Sequence, residues 1–411
     1  MLRFTFLIAL CITSFTHGDL KVKPGIDQLV EQSLYLLKGK RVGILTNHTG
    51  INSRCRPTIE LLKEKQEQGS YQVTALFAPE HGITGSKYAE QAVDNCIDPD
   101  GIPIYGLHGK NYRPTVKALE TVDVIVYDIQ DLGSRTYTYL NTLFLTMEEA
   151  AKKNVEVIVC DRPNPINGVV VDGPMVEKKH RSIIGYINIP YCHGMTAGEL
   201  ANLFNREEQI GCKLHIVPMT GWKREMTFDQ TGLPWIPTSP HIPEAKTAFY
   251  YPMTGIIGSL KLVNTGVWYS TPFRLIGAPW IKGKQFADNL NSQNYPGVHF
   301  QPFHFSPYFG RYAKEECEGV YLIVTNPLTF KPVSTQFLIL GMLKSLYPKQ
   351  FQNAIKAAKE QEKSIARICG TDQVVHLITH SPYIAWPLRS LHEKERENFL
   401  ALRKKYLNPQ Y

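Results

Sequence analysis

The sequence lacks the short motifs that mark several common enzyme classes. No G-x-G-x-x-G follows the first predicted strand, which argues against a nicotinamide cofactor. No G-x-S-x-G nucleophile elbow is present, which argues against an α/β-hydrolase. The chain also has no H-E-x-x-H and no C-x-x-C pair, so neither a metal site nor any other cofactor is expected. Carboxylates remain as the residues available for chemistry.

The chain also lacks a basic block and a late hydrophobic run. It has 45 Lys and Arg against 37 Asp and Glu, a formal net charge of +8, and these charges occur in runs of mixed sign. That distribution is typical of a solvated surface and not of a nucleic-acid interface. No stretch after the first residues reaches the length of a membrane span. We therefore expect neither nucleic-acid binding nor stable membrane insertion.

Residues 1–18 have the pattern of a secretory signal peptide. Arg3 precedes an apolar run from residue 4 to about residue 15, and Thr16 and Gly18 stand where small residues precede a cleavage site. This pattern predicts an exported protein, either periplasmic or secreted. Beyond residue 18 the chain retains seven of its eight cysteines at scattered positions, so a disulfide framework is not expected, although one or two bridges stay possible.

The order of predicted elements indicates an α/β fold. Short apolar strands alternate with helices, and near-continuous apolar strands imply a mostly parallel sheet with helices on both faces. A segment rich in proline and aromatic residues, 220–252, is typical of a lid or a linker. We place a domain boundary at its end, which gives an N-terminal domain at 19–252 and a smaller domain at 253–411.

Polar side chains follow four of the predicted strands at their carboxyl ends. The four clusters are Asn47 with His48, Glu80 with His81, Asp128 with Asp131 and Arg135, and Asp161 with Arg162 and Asn164. In open α/β sheets, ligands bind in the crevice beyond the carboxyl ends of the strands. We therefore expect the four clusters to meet in one crevice.

Carboxylates in a crevice suit glycoside hydrolysis. One carboxyl group protonates the leaving oxygen, and another activates water, attacks the sugar or stabilises the transition state. Glu80 stands between an apolar strand end and a glycine loop, and we interpret it as the centre of the chemistry. The alternative is a carboxylate that caps the next helix or pairs with an arginine. Asp128 and Asp131 are the candidates to assist, although Asp131 could instead form a salt bridge with Arg135.

The other candidates are predicted to bind the substrate. Arg135 and Arg162 could bind an anionic group or merely hold the aspartates. Tyr137 could offer a flat face to a sugar or pack in the core, and the histidines could be hydrogen-bonded scaffold. The predicted substrate-binding set is Asn47, His48, His81, Arg135, Tyr137, Arg162, Asn164 and His193.

Long motifs in the chain resemble one known family. They are APEHG at 78–82, DIQDLGSRTYTY at 128–139, DRPNPINGVVVDGP at 161–174, HGMTAGELA at 193–201, IGAPW at 276–280, LYP at 346–348 and GTD at 370–372. They resemble the NamZ exo-β-N-acetylmuramidases from about residue 40 to the C-terminus. The resemblance implies a Rossmann-like catalytic domain joined to a smaller α+β auxiliary domain, with the cleft between them.

The resemblance also implies a function. It implies release of terminal N-acetylmuramic acid from the non-reducing end of peptidoglycan fragments, so a peptidoglycan-derived glycan is the expected partner. The glutamate of the family's A-P-E-H-G motif matches Glu80, which would act as the general acid. The lactyl carboxylate of this sugar gives Arg135 or Arg162 an anionic partner.

The chain departs from the family pattern at two positions. Where the family carries F-E-G-T and then G-R-G-T, this chain has Ser259 in place of the glutamate and Val267 in place of the arginine. Two alternatives to the muramidase therefore stay open. One is a non-catalytic muropeptide-binding protein, and the other is a hydrolase of a different β-linked amino sugar.

Overall fold

The computed structural model describes residues 22–411, and the predicted signal peptide at 1–18 lies outside the described residues. The N-terminal sheet contains β1 (Arg41–Thr46), β2 (Gln72–Ala78), β3 (Cys96–Ile97), β4 (Pro103–Gly106), β5 (Val124–Asp128), β6 (Glu156–Cys160) and β7 (Leu214–Val217). Their spatial order is β3-β4-β2-β1-β5-β6-β7, and all neighbours pair in parallel except β3 with β4. With the short β3 set aside, this is the strand order 3-2-1-4-5-6 of the Rossmann fold.

Helices cover both faces of this sheet. They are α1 (Gly25–Gln32), α2 (Thr58–Glu64), α3 (Gln66–Gly69), α4 (Val116–Leu119), α5 (Thr138–Lys152) and α6 (Ala197–Glu207), with 3₁₀ turns at Leu34–Leu37, Lys178–His180 and Phe228–Gln230. Alternate residues of β5 join different hydrophobic clusters: Ile125 and Tyr127 pack with α5, whereas Val124 and Val126 pack with α1. The doubly covered sheet explains why the strands are apolar along their whole length.

A smaller domain follows. It contains β8 (Leu275–Ala278), β9 (Val298–Phe305) and β10 (Cys317–Val324) in an antiparallel sheet of order β8-β10-β9. Its helices are α7 (Thr247–Ser259), α8 (Gly283–Asn291), α9 (Pro332–Leu346), α10 (Pro348–Ala357), α11 (Glu362–Cys369), α12 (Asp372–His380), α13 (Ala385–Ser390) and α14 (Glu393–Arg403), with a 3₁₀ turn at Lys359–Gln361. The predicted fold class, a Rossmann-like domain plus a smaller α+β domain, is confirmed. Residue 252, where the boundary was predicted, lies inside α7.

The end of the chain packs back onto the first domain. Nη1 of Arg403 donates to the carbonyl of Gly194 at 2.8 Å, and the hydroxyl of Tyr411 donates to Oδ2 of Asp161 at 2.8 Å. Asp161 follows β6 directly. The two domains are thus joined by contacts at the carboxyl edge of the parallel sheet as well as by the covalent linker.

Two further features bear on the expectations drawn from composition. The seven cysteines of the described chain are all free thiols. Among residues 22–411, no helix combines the length and apolarity that crossing a bilayer requires.

Candidate active site

A cleft of about 490 Å³ opens beyond the carboxyl end of β2. The loops after β2 and β4 form one wall, and residues 136–138 at the start of α5 form its floor. Segment 239–242, Tyr251 of α7 and Phe273 close the opposite side. Because α7 and Phe273 belong to the second half of the chain, the cleft lies where the two domains meet.

The carboxyl group of Glu80 is fixed in the wall of this cleft. Its Oε2 accepts a hydrogen bond from the hydroxyl of Thr138 at 2.6 Å, and its Oε1 accepts one from the backbone N–H of Glu90 at 2.9 Å. Nε2 of His108 lies 3.6 Å from Oε1, and only 11% of the Glu80 side chain is exposed. Two donors and an imidazole therefore set the orientation of one carboxyl group that faces a sugar-sized space.

The local sequence explains how Glu80 reaches this position. β2 ends at Ala78, and Pro79 cannot donate to a continuing ladder. His81 then adopts a φ of 69°, in the left-handed region that a non-glycine residue rarely occupies. Its Nδ1 donates to the carbonyl of Lys87 at 2.7 Å, which closes the loop on itself. His81 thus lines the cleft as part of a tightly held turn.

His48 supports this loop from behind. A Cβ atom at Gly85 would lie 2.1 Å from the His48 ring, so the imidazole packs directly against the glycine. Nε2 of His48 lies 2.6 Å from the carbonyl oxygen of Pro237, and burial lowers the pKa of the ring. His48 is therefore a neutral packing partner of the glycine loop and does not itself line the cleft.

An aromatic wall faces Glu80. Tyr137 donates its hydroxyl to Oγ1 of Thr238 at 2.8 Å and meets the ring of Tyr251 edge-on at 5.8 Å. Burial raises the pKa of Tyr251 to about 12, so its phenol stays neutral in the physiological range. Both tyrosines line the cleft, and Tyr137 is the predicted binding residue that the structure places beside Glu80 and His81.

Asp128 and Arg162 lie outside the cleft, in a buried ion pair. Nε of Arg162 donates to Oδ1 of Asp128 at 2.6 Å and Nη2 donates to Oδ2 at 2.8 Å. Thr58 donates its hydroxyl to the same carboxylate. Asp128 ends β5 and is fully buried, so its carboxylate is committed to this pair.

This ion pair fills the position where Rossmann folds bind nucleotides. The strand order reverses between β1 and β5, and ligands of such sheets bind at that switch point. Arg162 and Gln130 there border a space of only about 10 Å³, which is about the room that one water molecule needs. This space at the switch point is far smaller than a dinucleotide.

Asn47 and Asn164 hold backbone turns. Oδ1 of Asn47 accepts from the backbone N–H of Thr49 at 2.9 Å, and Oδ1 of Asn164 accepts from the N–H of Ile166 at 3.0 Å. Nδ2 of Asn164 donates to the carbonyl of Met195 at 3.0 Å. The prediction that the four strand-end clusters meet in one crevice is therefore wrong. Glu80 and His81 line the cleft, whereas the other clusters form the buried edge beneath it.

Asp131 is buried beside this edge. Its Oδ2 accepts from the backbone N–H of Gly133 at 2.7 Å, whereas Oδ1 has no hydrogen-bond partner within residues 22–411. Burial raises the pKa of Asp131 to about 7, because the charged form is poorly solvated there. The salt bridge to Arg135 that the spacing allowed is not formed in the described chain.

Arg135 and His193 point away from the cleft. Nη2 of Arg135 donates to the carbonyl of Cys369 at 3.1 Å, at the carboxyl end of α11, and the guanidinium lies 5.1 Å from the ring centre of Tyr191. A cation suits a helix C-terminus, although burial lowers the pKa of Arg135 to about 10. Burial also lowers the pKa of His193 to about 3, so that imidazole is neutral.

One cluster outside the cleft has the spacing of a metal site. The ligand atoms of Glu177, His180 and Asp372 lie within 4.8 Å of one another. However, the ammonium group of Lys179 pairs with Asp372 and lies 3.4 Å from Glu177. Because a lysine already balances both carboxylates, the cluster acts as an ion-pair network between the domains.

Sequence reasoning missed several residues of the cleft. Thr138 and His108 contact Glu80, and Glu90, His241 and Tyr251 line the same space. His108 follows β4 as Glu80 follows β2, so the rule that ligand-binding residues follow the carboxyl ends of parallel strands could have predicted it. His241 and Tyr251 lie far along the chain from Glu80, and no local sequence pattern predicts that they line the cleft.

These features define a class of protein. A glutamate is oriented in an aromatic-walled cleft, and the Rossmann-like domain beneath it has its nucleotide position filled. Since an oriented carboxyl group and aromatic faces are what glycoside hydrolysis needs, the class is that of a glycosidase-type enzyme.

Comparison with known proteins identifies the family. Residues 42–246 match "Exo-beta-N-acetylmuramidase NamZ, N-terminal" and residues 249–408 match the corresponding C-terminal description. The chain is 38% identical over 388 residues to the peptidoglycan beta-N-acetylmuramidase NamZ of Bacillus subtilis (strain 168), covering 94% of this chain and 91% of that protein. The chain belongs to the NamZ family.

Two crystal structures of DUF1343 family proteins from Bacteroides fragilis NCTC 9343 have the same fold. One is 38% identical with a TM-score of 0.87, and the other is 25% identical with a TM-score of 0.67. In each case 94% of this chain and 98% of the other chain are covered. The similarity therefore extends over both domains.

Proposed function

We propose that this protein is an exo-β-N-acetylmuramidase, which releases N-acetylmuramic acid from the non-reducing end of peptidoglycan fragments. Membership of the NamZ family and the printed activity of the Bacillus subtilis relative support this proposal. The observation that carries it is the carboxyl group of Glu80, held by Thr138 and by the backbone of Glu90 in the wall of a sugar-sized cleft.

Glu80 acts as the general acid in this proposal. Its protonated carboxyl group donates to the glycosidic oxygen as the bond to the anomeric carbon breaks, and water supplies the hydroxyl group of the released sugar. Thr138 and the Glu90 backbone orient the carboxyl group, and His108 lies close enough to exchange a proton with it through a small movement. Tyr137 and Tyr251 provide the apolar surface against which a sugar ring packs.

Asp128 and Asp131 have supporting roles in this mechanism. The carboxylate of Asp128 is occupied by Arg162, and that of Asp131 accepts from Gly133 beneath the cleft. Neither side chain borders the space in which a substrate would lie. Glu90 does border it, and it is the second carboxylate of the cleft that could act on water.

The test is turnover of a chromogenic β-glycoside of N-acetylmuramic acid. We expect Glu80→Gln to lower kcat by at least about a hundredfold, because an amide cannot donate the proton. Glu64→Gln is the matched control, since Glu64 lies on the solvent side of α2 in an exposed pair with Arg56. Equal rates for the wild type and Glu80→Gln would remove Glu80 from the mechanism.

A non-catalytic muropeptide-binding protein is the second candidate. It is favoured by Ser259, which stands where the family pattern has a glutamate and whose hydroxyl donates to the carbonyl of Gly255 within α7. Calorimetry with muropeptides separates the candidates, because binding without release of sugar from any fragment supports the second one. A panel of chromogenic β-linked amino sugars tests the related alternative of a different substrate.

We also propose an extracytoplasmic role in cell-wall turnover. The support is the signal-peptide pattern of residues 1–18. Fractionation of cells that produce the full chain would place the protein in the periplasm or the medium, whereas recovery from the cytoplasm alone would contradict this part of the proposal.

A further inference from the structure

The cleft has an unusual balance of charged groups for a protein that takes an acidic sugar. Glu80 and Glu90 line it, and so do His81, His108 and His241. Among residues 22–411, no lysine or arginine belongs to this lining. A carboxylate that enters the cleft therefore lies near two carboxylates and three imidazoles. Among the lining groups of the described chain, only the imidazoles can become cationic.

The arginines that could have received such a carboxylate are used elsewhere. Arg135 caps the end of α11 through Cys369, and Arg162 is paired with Asp128. Trp268 packs edge-on against the ring of His241, at 4.9 Å between ring centres. The loop that contains Trp268 thus holds this imidazole in position.

His241 differs from the other two histidines because both of its ring nitrogens lack a partner in the described chain. His81 donates to the carbonyl of Lys87, and His108 faces Glu80. His241 is half-buried, and neither of its ring nitrogens is hydrogen-bonded within the described chain. It therefore combines access to the cleft, a fixed ring plane and unused hydrogen-bonding capacity.

We propose that His241 is a specificity residue: its protonated imidazole receives the carboxylate of an acidic amino sugar, so that recognition of the acid form strengthens as the pH falls. This inference rests on the proposed function, because it names the residue that binds the lactyl carboxylate of N-acetylmuramic acid. It predicts that sugars without a free carboxylate are recognised independently of His241.

The charged groups around His241 are consistent with an imidazole that becomes protonated as the pH falls. Burial and the facing His81 lower the pKa of His241. On its own segment, Glu244 lies 3.5 Å from Arg274 and Lys246 lies 3.6 Å from Asp229, so both local charges have partners outside the cleft. Across the cleft, burial lowers the pKa of His108, and the neighbouring Glu80 and Glu90 offset this effect only in part. The ring of His241 is therefore mainly neutral at neutral pH and charges on acidification.

The experiment compares two substrates that differ in one charge. They are a chromogenic β-glycoside of N-acetylmuramic acid and the same glycoside with its lactyl carboxylate converted to an amide. The ratio of their kcat/KM values is measured from about pH 5 to about pH 8, the range in which imidazoles titrate. The ratio cancels the pH dependence of every step that is common to both substrates.

For the wild type we expect the ratio of acid to amide to fall about tenfold across this range, the size of one charge-assisted hydrogen bond. His241→Gln should make the ratio independent of pH, and His241→Arg should hold it at its acidic value throughout. His376→Gln, on the exposed face of α12, is the control and should behave as the wild type.

A flat ratio in the wild type, or an unchanged slope in His241→Gln, would overturn the inference while leaving the muramidase activity in place. If neither substrate is turned over at any pH, the proposed function fails instead. Calorimetry with free N-acetylmuramic acid and its amide then applies the same comparison to binding, and equal affinities at all pH values would also overturn the role of His241.

Discussion

The hydroxyl of Thr138 donates to Oε2 of Glu80 at 2.6 Å, and Thr138 is the first residue of α5. The glutamate after β2 is thus oriented by the start of a helix that follows β5, two positions away in the sheet. The orientation of the Glu80 carboxyl group therefore depends on the packing of the Rossmann-like domain as a whole and not on the A-P-E-H-G loop alone.

Thr138→Val removes this hydrogen bond while keeping the branched shape of the side chain. We expect kcat to fall about ten- to hundredfold, because hydrogen bonds to carboxylates contribute roughly 1.5–3 kcal/mol. KM should change little, because in the proposed mechanism the sugar ring packs on the aromatic wall. The matched control is Thr142→Val, one turn further along α5, whose hydroxyl donates only to the carbonyl of Thr138. Equal kcat values for both variants would show that the bond is dispensable.

Asp128→Asn tests the structural role of the buried ion pair. It leaves Arg162 buried opposite a neutral partner, and loss of one member of a buried pair costs about 3–5 kcal/mol. We expect the free energy of unfolding, measured in urea, to fall by this amount. The double variant Asp128→Asn/Arg162→Met should recover part of the loss. The kcat of the folded fraction should stay within a few-fold of the wild type, and a complete loss of activity in a stably folded Asp128→Asn would restore a catalytic role.

Asp131→Asn should change how stability depends on pH. Its pKa is about 7 in the folded protein and about 3.9 in an unfolded chain. The folded state therefore binds the proton more tightly, and this group makes the protein progressively less stable as pH rises from about 4 to about 7, with no further change above. The effect is at most about 4 kcal/mol.

The amide variant should therefore gain stability over the wild type as the pH is raised, and urea unfolding at about pH 4 and about pH 8 measures the difference. Asp161, whose pKa burial raises to about 6, contributes with the same sign and is present in both proteins, so it cancels in the comparison. A constant difference between variant and wild type at the two pH values would contradict the assignment.

Tyr411→Phe removes the hydroxyl that donates to Asp161. The ring still packs edge-on against Trp222, so the loss is confined to this hydrogen bond and to the one that the hydroxyl accepts from the backbone N–H of Met219 at 3.0 Å. We expect a destabilisation of about 1–3 kcal/mol, because the buried carboxylate loses a donor. Tyr35→Phe, at a ring that is 72% exposed, is the control and should leave the thermal midpoint unchanged. An unaltered midpoint in Tyr411→Phe would show that water replaces the hydroxyl.

The sheet could be predicted because its signal is local. Each central strand is a short apolar run, and the carboxyl end of each is marked by polar residues such as Asn47, Glu80 and Asp128. The parallel sheet with helices on both faces followed from the same alternation of strands and helices, whereas the smaller α+β domain was implied by the family resemblance. The capping box of α6, formed by Thr196 and Glu199, can likewise be read directly from its spacing.

The sequence could not predict which strand-end residues line the cleft and which are buried beneath it. Asp128 and Glu80 both follow an apolar strand in the sequence. In the structure, however, Asp128 pairs with Arg162, whereas Glu80 faces the open space of the cleft. That difference depends on the switch in strand order between β1 and β5, which is a property of the whole sheet. His241 and Tyr251 were missed for the same reason, because their place in the cleft is set by packing between the domains.

The contact between Tyr411 and Asp161 has a consequence for how the molecule is made. The two residues are separated by 250 positions, so during vectorial synthesis β6, which Asp161 directly follows, emerges long before this donor to the buried carboxylate. Domains often fold as they leave the ribosome. Here the contacts of Asp161 are completed only once Tyr411 has been made, so until then its carboxyl group lacks one of its hydrogen-bond donors.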